Sequence, residues 1–283
     1  MATTQSAKKG KVILAAAGPG DPELITVKAV RYLQMADVVL TDRLVSNDIL
    51  TQYVNPNAQV IYVGKQCRIG NSTPQQTINQ LMVQYASSGN LVVRLKGGDV
   101  SVFSNILDEL QDLVNHHIPY EIIPGITAAL GAAAYAGIPL TARGYSTAVR
   151  LLTYYKSDIV SDQYWQEIAS TTDTLVFYMS AATVEDIISK LIRYGVAPDT
   201  HVAVIEQAST PLQQVHVAGI YDYLEQYGTL SLMSPSLVII GKVAALHEQF
   251  AWFANAPERA PYFKSIASLP NNTPNHQAHV SRA

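Results

Sequence analysis

The sequence is poor in several things, and each shortage removes a class of function. It has one cysteine, Cys67, in 283 residues, so no intramolecular disulfide can form, and a reducing compartment such as the cytoplasm fits. Charge is sparse and nearly balanced, with 14% charged residues and 19 Lys and Arg against 22 Asp and Glu. The resulting net charge of −3 gives no bulk attraction to nucleic acid or to acidic membranes. No apolar run approaches the ~18 residues of a membrane span. Residues 1–10 are polar and contain lysine, without the apolar centre of a signal peptide. With no secretory route, the glycosylation pattern at Asn271-Asn272-Thr273 carries no weight.

Several catalytic signatures are missing too. His116 and His117 are adjacent rather than three or four apart, and Cys67 has no cysteine partner nearby, so no metal site is expected. There is no Gly-x-Ser-x-Gly elbow and no Gly-x-x-x-x-Gly-Lys-Ser/Thr loop. The turn Gly18-Pro19-Gly20-Asp21-Pro22 follows a strand, but Glu23 stands where a dinucleotide fingerprint needs its third glycine. No internal repeat is visible.

What is present is a hydrophobic content of 48%, ample for a core, and a regular alternation of strand and helix patterns. Val12 to Ala17, Val38 to Leu40, Gln59 to Val63, Val92 to Lys96 and Tyr120 to Ile123 read as strands. Between them lie helical patterns. One carries Ala29, Val30, Leu33 and Ala36 on a single face, and a second carries Ile78, Leu81, Met82 and Tyr85. The second opens on Thr73-Pro74-Gln75-Gln76, with threonine expected as N-cap, and Gly89 stops it. A third, capped by Ser104, is expected to turn Ile106, Leu107, Leu110 and Val114 inward. Such alternation predicts a mostly parallel sheet.

From about residue 148 the grammar changes. Strands are expected at 149–154, 174–178, 202–205, 214–217 and 237–240, with helices near 184–194 and 221–227. The reading is α/β in two domains, each a sheet flanked by helices: a tail at 1–10, an N-terminal domain at 11–125, a C-terminal domain at 126–257 with a mixed sheet, and a flexible tail at 258–283. A cleft between domains is the default ligand site.

The central stretch is Val92-Val93-Arg94-Leu95-Lys96-Gly97-Gly98-Asp99. Two glycines at a strand end let a ligand touch bare backbone, and Asp99 offers a carboxylate to a cationic or hydroxylated ligand. The same residues also suit an ordinary strand-to-helix turn. In a doubly wound sheet the loops 18–21, 42–43, 64–65, 97–99 and 127–128 gather on one edge. That suits a cofactor whose reactive group is already activated, with the protein supplying position and electrostatics.

These stretches resemble the tetrapyrrole methylase family, on its sirohaem and cobalamin branch. The resemblance rests on Ala17-Gly18-Pro19-Gly20-Asp21-Pro22-Glu23-Leu24, Asp42-Arg43-Leu44, Val63-Gly64-Lys65, 92–99, 124–129, Ala134-Tyr135-Ala136-Gly137-Ile138-Pro139-Leu140-Thr141, 174–179 and 235–241. It implies a two-domain fold with S-adenosyl-L-methionine in the inter-domain cleft and S-adenosyl-L-homocysteine as product. It also implies a homodimer that methylates two ring carbons of uroporphyrinogen III to give precorrin-2, in keeping with the cytoplasmic location expected from the lone cysteine. Later corrin precursors, or a tetrapyrrole-binding relative without turnover, are the alternatives. Carried over by motif, Pro19, Gly97, Gly98, Asp99, Val102, Thr127, Ala128, Met179 and Ala208 would line the cofactor site. Asp42 would be the general base, Lys65 a proton donor, and Arg143 would meet the substrate's carboxylates. The chain departs from the family where Asn105 replaces an arginine, Asp108 a glutamate, and Ala142 and Gly144 the neighbours of Arg143.

Overall fold

A computed structural model describes residues 10–64, 73–155 and 160–263. The first half builds a five-stranded sheet from β1 (Lys11–Ala16), β2 (Val38–Thr41), β3 (Gln59–Tyr62), β4 (Leu91–Lys96) and β5 (Tyr120–Ile123), in the order β3-β2-β4-β1-β5. Every pairing in it is parallel. Successive side chains of a strand face opposite ways, and β1 shows it. Val12 and Leu14 pack with Ile78, Met82 and Leu113 on one face, while Ile13 and Ala15 pack with Ala29, Leu33 and Ile49 on the other. The first face is covered by α3 (Gln75–Ser87) and α4 (Ile106–Asn115), the second by α1 (Val27–Met35) and α2 (Asn47–Tyr53).

The second half forms a mixed sheet, β6-β7-β10-β8-β9, from β6 (Val149–Thr153), β7 (Thr174–Tyr178), β8 (His201–Glu206), β9 (Gln214–Gly219) and β10 (Ser236–Gly241). Only β6 and β7 run parallel. Trp165 of α6 (Asp162–Ser170) and Ile187, Ile188 and Leu191 of α7 (Val184–Arg193) fill one face. The alanines of α5 (Ala128–Tyr135) fill the other, against Val176, Ala203 and Ile239.

Several expectations need correcting. The chain forms α2 and α6, which the apolar pattern did not announce; each is short, and its N-cap serine (Ser46, Ser161) accepts from a backbone amide. Thr73 does not cap α3: the N-cap position is Pro74, and no side chain bonds there. Ser104 does not cap α4 either; Asn105 takes that place in a left-handed conformation, φ 54° and ψ 39°. Residues 258–263 are not loose, since Phe263 is buried and Arg259 pairs with the buried Glu206.

The inward face of α4 also differs. Leu107 is 73% exposed and Val114 51%, while Glu109 is fully buried. The cause lies on β4, whose Arg94 and Lys96 point at this helix. Arg94 Nε donates to Glu109 Oε1 at 3.0 Å and Lys96 Nζ to Oε2 at 2.7 Å. Two buried cations must find an anion, so they turn the carboxylate inward and leave the neighbouring leucine outside.

Removing one partner of a buried ion pair costs about 3–5 kcal/mol. Glu109→Gln keeps the volume and strands two cations. Its unfolding free energy by urea titration is expected to fall by that amount, read as a lower midpoint at constant m-value. A loss below about 1 kcal/mol, the level of a surface pair, would show that the triad is not structurally required.

Candidate active site

In the first sheet β1 leads toward β2 on one side while β4 leads toward β5 on the other. The two connections pass over opposite faces of the sheet, β1 leading to α1 on one and β4 to α4 on the other, so the strand ends of β1 and β4 form the switch point where α/β sheets leave a crevice. The two loops that open there are joined by backbone alone. Gly98 N donates to Gly18 O at 2.7 Å, and Gly18 N to Gly98 O at 3.1 Å. Both glycines have positive φ, +80° at Gly18 and +70° at Gly98, a conformation that costs other residues about 1–2 kcal/mol. A Cβ on Gly98 would meet only Ala128 N, at 3.8 Å, so open space lies over it. Gly97 is different: its Cβ would meet Leu44 Cβ at 2.8 Å. Gly97 is therefore required for packing and Gly98 for a vacant surface.

Asp99 is nearly buried. One oxygen accepts from Ser101 N at 2.8 Å and from the Ser101 hydroxyl, the other from Gly125 N at 2.9 Å. Burial alone would raise its pKa, but these hydrogen bonds outweigh it and hold the carboxyl below its usual value. Three of a carboxylate's roughly four acceptor positions thus shape the loop itself. Through Gly125, Asp99 also fixes the entry to α5, whose N-cap Thr127 does not cap with its side chain. Thr127 instead shares a hydrogen bond of 2.7 Å with the Tyr178 hydroxyl, which accepts from Ala129 N at 3.0 Å. Tyr178 ends β7, next to Met179.

Pro19 packs on Gly131 of α5, where a Cβ would sit 2.5 Å from the proline ring. Gly20 lies against Ala208 and Ser209, whose atoms a Cβ would meet at 3.0 and 3.2 Å. Val102 packs at the edge of the apolar cluster that holds α5. Six non-glycine residues among those described have left-handed backbone; five of them, Phe103, Asn105, Met179, Gln207 and Ser209, lie in loops after β4, β7 and β8. Strain of this kind costs on the order of 1–3 kcal/mol per residue and gathers at functional sites. Met179 is half exposed, and its sulfur accepts from Tyr155 Oη at 3.2 Å.

Asp42 stands at the end of β2, beside the glycine loop. Its oxygens accept from Leu44 N at 2.9 Å and from Gly97 N at 3.3 Å. Beneath it lies the Arg94-Lys96-Glu109 triad; burial and the Arg94 charge push the Lys96 ammonium down, against Glu109 and Asp42. Lys65 lies outside the described residues. Arg143 is described but stands apart. Its hairpin, closed by Ala142 N to Ser146 O at 3.0 Å, is tied to Thr174 at the start of β7. Met179 follows the other end of that strand. Arg143 is exposed and, among the described residues, has no carboxylate partner.

Three contributors were not singled out in the sequence: Tyr178, Phe103, whose ring lies 4.9 Å from that of Tyr178, and Tyr135, whose hydroxyl donates to Asp21 at 2.5 Å. Burial and the Asp21 carboxylate push Tyr135 up to about 12. Tyr178 and Tyr135 sit in apolar runs where an aromatic reads as core, and Phe103 lies in a loop of alternating polar and apolar residues. Among the described residues no three His, Cys, Asp or Glu side chains stand together as a metal site would need.

Residues 11–223 match the family described as Tetrapyrrole (Corrin/Porphyrin) Methylases. The chain is 46% identical over 246 residues to the siroheme synthase of Saccharophagus degradans, covering 87% of this chain and 53% of that protein. It spans about half the length of the curated relatives it matches. Among solved structures it is similar to the uroporphyrin-III C-methyl transferase of Thermus thermophilus complexed with S-adenyl homocysteine, with 34% identity, a TM-score of 0.68, and 83% and 93% of the two chains covered. It is also similar to a cobalt precorrin-4 methyltransferase, a cobalamin biosynthetic enzyme, with 26% identity, a TM-score of 0.74, and 86% and 99% covered. With the matching loops drawn together at one sheet edge, a match of that extent means that the chain belongs to the tetrapyrrole methylase family.

Proposed function

We propose that the chain is an S-adenosylmethionine-dependent C-methyltransferase that acts on uroporphyrinogen III at two ring carbons and yields precorrin-2. The observation that carries this reading is the vacant backbone at Gly98, set at the sheet's switch point with the Asp42 carboxylate bonded to the adjacent Gly97. The identity with a siroheme synthase supports the substrate class. Likeness to a cobalt precorrin-4 methyltransferase favours, as a second reading, a later corrin precursor; the mass of the product separates the two.

The residues present fit the cofactor. Gly98 leaves room for it, Pro19, Gly97, Thr127, Ala128 and Ala208 border that room through the contacts described, and Val102 and Met179 add apolar surface. S-adenosylmethionine supplies a methyl group on a sulfonium, an electrophile that needs no metal. In-line placement of the two reactants accounts for much of the rate. Asp42, held by two backbone amides, is the acceptor for the proton that the methylated ring releases, and Lys65 is the proposed donor. We place the boundary between the two domains near residues 125–126, a reading that the packing of α5 on the second sheet supports.

We also propose a cytoplasmic homodimer. Phe250 and Trp252 are half or more exposed beside α5, where the Trp252 indole donates to Ala134 O at 2.8 Å, an apolar patch of the kind that marks an interface. Because Arg143 sits at the far end of β7, its part in holding substrate carboxylates is assigned to the site of the second copy.

Gly98→Ala is expected to fold, since its Cβ has space and the left-handed strain is about 1–2 kcal/mol, yet to weaken S-adenosylhomocysteine binding by about tenfold or more (about 1.4 kcal/mol), because the methyl group falls where the ligand would meet backbone. Unchanged affinity by calorimetry in the folded variant would remove the premise. Asp42→Asn keeps the shape and removes the base, so the single-turnover rate should drop about 10²–10⁴-fold with cofactor affinity little changed. A near wild-type rate would end the assignment.

Arg143→Ala should raise the substrate KM roughly 10- to 150-fold, the worth of one hydrogen bond to a charged group. Mixing it with Asp42→Asn should restore activity, up to about a quarter of sites for random pairing in a two-fold dimer. Mixtures no more active than their components would place both residues in the same chain's site or in no common site.

A further inference from the structure

The family match ends at residue 223, yet residues 255–263, which form no helix or strand, are among the most firmly tied of the irregular segments. Asn255 bonds both backbone groups of Val215, accepting from its N–H at 2.7 Å and donating to its carbonyl at 3.1 Å. Ala256 N donates to Gln213 O at 3.0 Å, and Gln214 Nε2 to Ala256 O at 2.8 Å. Arg259 donates to both oxygens of Glu206 at 2.8 and 3.0 Å. Glu206 is fully buried, and His216, Met233 N and Arg259 hold its carboxyl below the usual range against the effect of burial. A buried carboxylate that loses its cation is costly, so this root of the strap is fixed.

Gln207 then reads the strap on both sides. Its Nε2 donates to Ala260 O at 2.9 Å, and its Oε1 accepts from Tyr262 N at 2.6 Å. Gln207 does this from a left-handed backbone, φ 49°. From there the chain crosses to the first sheet. Tyr262 Oη donates to Asp48 Oδ2 at 2.8 Å and accepts from Ser46 Oγ at 2.8 Å. Ser46 is the N-cap of α2 and accepts from Asp48 N at 3.2 Å. The turn that Tyr262 grips is the one that begins at Asp42. Asp42, Arg43, Val45 and Tyr62 line a single recess together with Tyr262 and Phe263.

We propose that Tyr262 is a positioning residue for the reaction at Asp42: the strap carries it from the second sheet to the first, where its hydroxyl fixes the 42–48 turn and so the direction of the Asp42 carboxylate. The strap thereby ties the proton acceptor, on one sheet, to the loop after β8 that borders the cofactor space, on the other. The role at Asp42 rests on the function proposed above; the grip on the turn does not.

The test is Tyr262→Phe in the full chain, which keeps the ring and removes the hydroxyl. Amide exchange at Leu44 and Asp48 is expected to quicken about tenfold, as a local opening becomes easier, while exchange at Leu14 in β1 stays unchanged. The single-turnover rate with uroporphyrinogen III should fall roughly five- to tenfold with S-adenosylhomocysteine affinity within twofold of wild type, a split that general loss of structure does not give. Asp48→Asn, which leaves an acceptor for the hydroxyl, should lose less than Tyr262→Phe. Unchanged exchange at Leu44 and Asp48 overturns the proposal. So does quicker exchange with an unaltered rate, or a parallel loss of rate and cofactor affinity. If the unaltered chain does not methylate uroporphyrinogen III, the functional reading fails by itself, and the exchange comparison still decides whether Tyr262 holds the turn.

Discussion

Two hydrogen bonds between bare backbone segments, Gly18 to Gly98 and back, set the geometry on which the site depends. They form an antiparallel bridge two residues beyond the parallel pairing of β1 with β4, at the place where the chain's connections leave for opposite faces of the sheet. Both residues must be left-handed to do so, and a side chain on Gly98 would enter the space that the crevice leaves open. Everything else at the site is arranged around this pair. Asp42 hangs from the amide before Gly98, Asp99 turns the following loop toward Gly125, and Pro19 and Gly20 carry the β1 loop onto α5 and the loop after β8.

Such a loop needs rigid support, and much of it is electrostatic. Arg94 and Lys96 lie on the same face of the strand that delivers Gly97 and Gly98, and both end on Glu109. Arg94 also donates to Leu40 O and Leu95 O, which ties β2 to β4 just before Asp42 leaves the sheet. A buried triad of this kind is weak evidence for stability in itself, since an apolar core of equal volume can be as stable. Its consequence here is directional: it fixes the rotation of α4 and the height of the strand end, so the carboxylate of Asp42 and the open face of Gly98 stay in register.

The strands and the loop motifs were legible in the sequence because they depend on local signals: apolar runs of strand length, glycines where φ turns positive, and a chain order that repeats strand and helix. What was not legible depended on partners distant in the chain. The face of α4 looked apolar along Leu107 and Val114, but two cations from β4 overrode it. The Thr73 capping pattern was present, yet the helix started one residue later. Residues 258–263 are polar and proline-containing, and nothing local says that Glu206 and Gln207 will seize them. The strained residues Phe103, Met179 and Gln207 carry no sequence mark, because a left-handed backbone at a bulky side chain is imposed by surroundings rather than chosen by the residue.

That last point bears on the place where the chain leaves its family's pattern. Where the resemblance leads one to expect an arginine, the chain has Asn105, between Ser104 and Ile106. Asn105 occupies the left-handed position that begins α4, and asparagine is among the few non-glycine residues that adopt it readily. Ser104 adds a bond from its hydroxyl to Val100 O, closing the loop on itself. Asparagine thus meets the conformational demand of the turn, and the loop presents no cation at this position. On the function proposed above, the substrate's carboxylates would be met by other cations. Arg43 opens the turn held by Tyr262, with one nitrogen donating to Ser234 Oγ at 3.2 Å, and Arg143 stands exposed on its hairpin. Under the function proposed above, recognition of an acidic substrate would fall to these two segments, whose position the strap and the second sheet control, and not to the glycine loop that borders the cofactor space.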